Sequence, residues 1–160
     1  CQIITCVSEN SEEATKRAKK TIAFYISVGK IYREFLKKNG FQNDTNNIFE
    51  EFKKTGFKSN HELVTDSMLK SLCIAGTPNE SKLQLEKFTD AGIDLPIIQF
   101  NPIDDVKKSF ELLTKTNISN NKVNDLKIHI KGGARTRLGD HSSIRTQPNN
   151  NIMKLFNNMI

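Results

Sequence analysis

Residues 72–102 read LCIAGTPNESKLQLEKFTDAGIDLPIIQFNP, a helix start, a helix stop and a buried strand in direct succession. The Thr77 hydroxyl can cap a helix, Pro78 suits the first helical position because an N–H there would be unpaired anyway, and Glu80 completes a capping box. The helix so begun carries Leu83, Leu85 and Phe88 as its apolar positions and stops at Ala91-Gly92, where glycine supplies the C-terminal turn. Residues 95–100 (LPIIQF) are then apolar without alternation, the pattern of a strand buried on both faces. Pro96 is tolerated near the beginning of such a strand, and Asn101-Pro102 ends it.

Upstream, residues 2–7 (QIITCV) give a second buried-strand signal of the same kind. A helix signal follows at Ser8 to Ser11, with Glu12 and Glu13 where the helix dipole favours negative charge. Ala14, Ala18, Ile22, Tyr25 and Ile26 recur at steps of three and four, one buried face, and Gly29 stops the helix. A second helix is expected to turn Ile31, Phe35 and Leu36 inward and Arg33, Glu34, Lys37 and Lys38 outward, ending at Asn39-Gly40. Residues 42–47 read as a polar loop. A short third helix carries Ile48, Phe49 and Phe52, and a fourth starts at Thr65-Asp66 with Met68, Leu69 and Leu72 buried. Downstream of the 95–100 strand, Val106, Phe110 and Leu113 mark a last amphipathic helix. Two apolar strands separated by helices imply a parallel sheet with crossover connections. Two strands alone cannot make such a sheet stable, and the chain opens in a strand without an initiator Met, so it is expected to be a fragment of a larger α/β protein.

The net charge of +6 is unevenly placed. Residues 1–113 hold 16 Lys+Arg and 16 Asp+Glu, whereas residues 114–160 hold 8 Lys+Arg against Asp125 and Asp140. The second segment also contains nine asparagines, and apart from residues 126–130 and 152–156 it lacks an apolar pattern. The division expected is therefore a folded part, 1–113, and a polar basic tail, 114–160, mostly disordered. No apolar run approaches the ~20 residues that cross a bilayer, so no membrane is expected. Cys1, Cys6 and Cys73 are odd in number, lack CxxC spacing and sit in apolar segments, which suits a reducing cytoplasm. His61, His129 and His141 are too scattered for a zinc site, and no metal is expected.

Residues 72–102, with their GTPNE turn, AG stop and LPIIQFNP strand, resemble the closing unit of the luciferase-like flavin- or deazaflavin-dependent oxidoreductases, whose capping turn reads (I/V)xGTPEE. Residues 18–41, AKKTIAFYISVGKIYREFLKKNGF, resemble the helical region after the seventh strand in the archaeal branch related to methylenetetrahydromethanopterin reductase. The resemblance covers residues 1–113. It implies the C-terminal fragment of a TIM (β/α)8 barrel, with residues 2–7 as strand seven and 95–100 as strand eight. It further implies FMN or the deazaflavin coenzyme F-420 as cofactor, and monooxygenase or reductase chemistry on a small-molecule substrate in the full-length parent, the isolated chain being inactive. In such barrels the site lies at the carboxyl ends of the strands. The residues available there are Cys6, Val7 and Ser8 on the first strand and, as cofactor-binding candidates on the last, Gln99, Phe100, Asn101 and Pro102. The amides of Gln99 and Asn101 could hydrogen-bond a ring carbonyl, or simply satisfy neighbouring backbone. No catalytic acid or base can be named, and oligomerisation is left open.

Two other readings stand beside this one. A nucleic-acid binder could use Lys131, Arg135, Arg137 and Arg145 on phosphates, but Phe156 is the sole tail aromatic for stacking, so binding would be weak and nonspecific. The change of composition after Leu113 also fits a tail joined by read-through or a frame change. The backbone amides at Gly76-Thr77-Pro78 could hold a phosphate, although the capping box offers them internal partners. The pairs Lys16-Arg17, Lys19-Lys20 and Lys37-Lys38, interleaved with glutamates, read as solvated helix faces.

Overall fold

The computed structural model describes residues 2–103 and 105–115, together with the backbone of 127–129. Four strands, β1 (Gln2–Val7), β2 (Cys73–Gly76), β3 (Ile97–Phe100) and β4 (Lys127–His129), form one sheet in the order β2-β1-β3-β4. Every pairing is parallel. Ile4 to Val7 lie opposite Cys73 to Gly76, and Gln2 to Thr5 lie opposite Ile97 to Phe100. β1 is thus central, and its unalternating apolar sequence is explained: Ile3, Ile4, Cys6 and Val7 are all buried, on alternate faces.

The helices are α1 (Ser11–Val28), α2 (Lys30–Leu36), α3 (Gln42–Thr55), α4 (Asp66–Leu72), α5 (Pro78–Asp90) and α6 (Val106–Lys115). Ile4, Cys6 and Cys73 pack against α1, α2, α3 and α4 through Ala18, Ile22, Ile26, Leu36, Ile48 and Met68. On the opposite face, Ile3, Val7, Ile74, Ile98 and Phe100 pack against Leu85 of α5 and Phe110, Leu112 and Leu113 of α6. The reason is chirality. The chain steps from β1 outward to β2, then returns past β1 to β3, and right-handed crossovers in opposite directions place their helices on opposite faces. The parallel α/β arrangement is the one expected. Within the described residues, however, the sheet is open and clad on both sides, whereas a barrel wall carries helices on its outer face alone.

Several local expectations are met. Asn10 caps α1, its Oδ1 accepting the Glu12 N–H at 2.9 Å. Thr65 caps α4 by accepting from Met68 N. The α5 capping box is formed, with Thr77 N donating to Glu80 Oε2 at 2.7 Å and Glu80 N donating to Thr77 Oγ1 at 3.4 Å. Those amides have internal partners, which favours the structural reading of the Gly76-Thr77-Pro78 turn.

Others are corrected. β2 was not expected: four residues, CIAG, are too few for periodicity to separate them from the end of α4. β3 begins at Ile97, two residues later than the apolar run. Residues 42–47 belong to α3, because a positive φ of 91° at Gly40 ends the preceding helical segment and lets a new helix start at once, burying Thr45. Ile31, expected inward, is 88% exposed, and Phe35 is also exposed. Arg33, expected outward, instead donates from Nη1 to the carbonyls of Ile26 and Ser27 at 2.7 and 2.9 Å and lies 3.9 Å from the centroid of the Phe49 ring. Those contacts orient α2 so that Tyr32 and Leu36 meet the core. In α5 the buried stripe is Ser81, Leu85 and Phe88, at steps of four and three; Leu83, two residues from Ser81, points away and is exposed. α6 runs to Lys115, and β4 lies within the expected tail; the rest of residues 116–160 lies outside the described residues.

Candidate functional site at the strand carboxyl ends

The connection leaving β1 enters the α1 face and the one leaving β3 enters the α6 face, so the two chains diverge beyond the carboxyl ends of adjacent strands. In open α/β sheets ligands bind at such a divergence. Its walls are Ser8 to Asn10 after β1 and Asn101 to Ile103 after β3. Ser8 is buried, its N–H donating to Gly76 O at 3.1 Å and its hydroxyl to Glu13 Oε2 at 3.1 Å. Asn101 extends the β1–β3 ladder by donating its backbone N–H to Thr5 O at 2.9 Å.

The four strand-end candidates take different places. Gln99 is half-buried and donates from Nε2 to the Tyr25 hydroxyl at 2.7 Å. Asn101 donates from Nδ2 to Gln99 O at 2.8 Å and accepts from Thr21 Oγ1 at 3.4 Å. Pro102 contributes its carbonyl, which accepts from Arg17 Nε at 3.3 Å. Phe100 is on the wrong face: its ring is buried edge-on against Phe110, centroids 6.0 Å apart, because alternation along β3 turns it toward α6. The Gln99 and Asn101 amides thus each have an internal partner, and the one aromatic of the four is in the core.

The two described cysteines, Cys6 and Cys73, are poorly placed to act as nucleophiles. Both are buried; burial pushes the Cys73 thiol up to about 12 and raises that of Cys6 as well, helped by neighbouring Cys73 and opposed by Arg17. Among the described residues no group of three or more His, Cys, Asp or Glu side chains could hold a metal ion, and no helix is long and apolar enough to cross a membrane.

Beside Asn101 opens a cleft of about 420 Å³, lined by Arg17, Lys20, Phe24, Phe57 and His61 among others. Its floor is polar but satisfied: buried Asn60 donates to Ser27 Oγ at 2.9 Å, and Thr21 donates to Arg17 O at 3.1 Å. His61 differs. Its Nδ1 atom is buried without a hydrogen-bond partner among the described residues. Burial and the charge of Lys20 hold its pKa below the ordinary histidine value; Glu62 opposes this, and Lys16 and Lys19 add to it. Sequence reasoning missed this cleft. The Lys/Arg pairs read as solvated faces, and Phe24 falls outside the apolar stripe of α1.

The sequence profile of the luciferase-like monooxygenase family matches residues 1–95, more than half of the chain. The chain belongs to this family. The match takes in β1, β2 and the capped α5, and stops before Gln99, so the four strand-end residues lie outside it. Among solved structures, this luciferase-like chain is similar to the coenzyme F-420 dependent tetrahydromethanopterin reductase of Methanopyrus kandleri, with TM-score 0.56 and 21% identity. The similarity covers 70% of this chain and 32% of that one. At that identity the likeness is one of fold. Comparison with curated protein sequences gives no significant match.

Proposed function

We propose that this chain corresponds to the C-terminal part of a luciferase-like oxidoreductase that moves a hydride through FMN or the deazaflavin coenzyme F-420, and that by itself it is catalytically incomplete. The observation that carries the reading is the family match over residues 1–95, joined to a structural similarity that covers 32% of the similar reductase. In this reading β1 and β3, which pair directly, would serve as strands seven and eight of a (β/α)8 barrel, which requires that one of the two helical layers leave its face of the sheet in the longer protein. The chain's own contribution would come from Gln99 and Asn101. Tyr25 and Thr21 hold their amides at the carboxyl end of β3, as one wall of a site whose other walls the described residues do not supply. The hydride chemistry itself belongs to the cofactor when bound. Phe100 and Pro102 keep structural roles, one in the core and the other anchoring α1 through Arg17.

The test is spectroscopic. A natively purified longer protein containing this sequence should retain a chromophore with flavin or deazaflavin absorbance, and deazaflavin would favour reductase over monooxygenase chemistry. The isolated 160 residues should retain neither. Failure of the longer protein to bind either cofactor, or cofactor-dependent turnover by the isolated chain, would overturn the proposal.

A further inference from the structure

Four cations, Lys16, Arg17, Lys19 and Lys20, fall within five residues of α1. None forms an ion pair among the described residues, where the bridges are Lys37–Glu34, Lys53–Glu50 and Lys108–Glu9. The structure divides the four between two neighbouring clefts that share His61. Lys16 and Lys19 line one together with Glu12 and Glu62, whose carboxylates offset their charge. Arg17 and Lys20 line the other, which has no carboxylate in its walls. Arg17 uses Nε on the Pro102 carbonyl, which leaves its Nη groups for a further acceptor.

The second wall of that cleft is aromatic. Phe24 and Phe57 stack at 5.8 Å between centroids with 29° between planes, yet they remain 47% and 52% exposed. Two half-exposed phenyl rings beside two unpaired cations suit a ligand with a flat apolar part and an anionic end. The His61 ring, which lines the cleft, adds a group that can either donate or accept.

We propose that this cleft binds an aryl or heteroaryl phosphate, the phosphate held by Arg17, Lys20 and His61 and the ring lying against Phe24 and Phe57. The inference does not rest on the oxidoreductase reading, since it needs neither a flavin nor further strands. The charged groups around His61 are Lys16, Lys19, Lys20 and Glu62, with Arg17 lining the same cleft and Glu12 lining the neighbouring one. A bound dianion reverses the sign of the field that the lysines impose, so the imidazole takes up a proton more readily and becomes a second donor to the phosphate.

NMR titration of the whole 160-residue chain tests this, with the His61 ring signals assigned through His61→Gln. Phenyl phosphate is expected to move the ring signals of Phe24 and Phe57 and to raise the midpoint of His61 titration. Inorganic phosphate should raise the midpoint too, with weaker affinity. Lys20→Gln, on an exposed helical position, should weaken phenyl phosphate by about tenfold, the scale of one lost charge-assisted contact. Phe57→Ala should weaken phenyl phosphate and leave inorganic phosphate unchanged. The proposal is overturned if millimolar phenyl phosphate leaves His61 unmoved, if Lys20→Gln binds as the wild type does, or if uncharged benzyl alcohol produces the same ring shifts at the same concentration.

Discussion

Arg33 offers the sharpest test of how the helical layer is held. Its guanidinium closes the C-terminal end of α1 by donating to two carbonyls, Ile26 O and Ser27 O, that a helix end leaves unpaired. The same group stacks 3.9 Å above the Phe49 centroid and so ties α3 to the α1–α2 corner. A hydrogen bond from a charged donor is worth about 1.5–3 kcal/mol, and an exposed cation–π contact about 0.5–1 kcal/mol. Arg33 is only half-buried and one Nη serves both carbonyls, so the lower ends apply. Arg33→Ala is expected to cost about 2–3 kcal/mol. With a urea m-value of about 1.5 kcal/mol/M, that lowers the denaturation midpoint by about 1.3–2 M. Arg33→Lys keeps the charge but loses the planar stack, and should fall between the two. The assay is urea unfolding of the 160-residue chain followed by circular dichroism. A midpoint unchanged in Arg33→Ala, or a lysine variant as damaged as the alanine one, would refute the reasoning.

Three further outcomes are expected. Thr77→Ala removes the hydroxyl that accepts from Glu80 N and donates to Glu80 Oε2, while the backbone N–H bond to that carboxylate stays, and should cost about 1 kcal/mol at pH 7 in the same assay. The Thr77 N–H and hydroxyl, with Ser11, hold the Glu80 carboxyl below 4.5, so that part of the stability exists above about pH 4.5 and disappears as pH falls through the depressed folded value. The gap between wild type and variant should therefore narrow in melts at pH 3. Met68→Ala empties a fully buried site between α4 and the α1 face and should cost about 2–5 kcal/mol, measured as a lowered midpoint with unchanged m-value. Cys6 and Cys73, whose folded pKa values are raised, should resist iodoacetamide in native protein at pH 8 and react on unfolding; their contribution is complete below about pH 9 and is lost as pH rises toward the folded values, so base should lower stability. Rapid native alkylation of either would contradict their burial.

What could be read from the residues alone is what local chemistry controls. Thr77, Pro78 and Glu80 close a capping box wherever they stand in a chain, and the stripe Ala14, Ala18, Ile22, Ile26 can bury only one side of a helix. The unalternating runs at 2–7 and 95–100 implied a sheet with both faces covered, and the luciferase-like resemblance rested on residues 18–41 and 72–102. Local chemistry did not reach the orientation of α2, where Ile31 and Leu36 look alike until a partner face exists. Two carbonyls at the end of α1 claimed Arg33 and turned Ile31 to solvent. Nor could CIAG declare itself a strand, since four residues acquire that identity only by pairing with Ile4 to Val7.

The sequence by itself determined the parallel α/β class, the capped α5, the burial of Cys6 and Cys73 and the family, because each follows from neighbours within a few residues or from a motif. Tertiary structure alone decided that β1 is the central strand, that Phe100 belongs to the core while Gln99 meets Tyr25, and that Arg17, Lys20, Phe24, Phe57 and His61 share one cleft. Those facts depend on which crossover returns past β1 and on which face each helix then covers. Side chains thirty and more residues apart become neighbours only once the chain has made that choice.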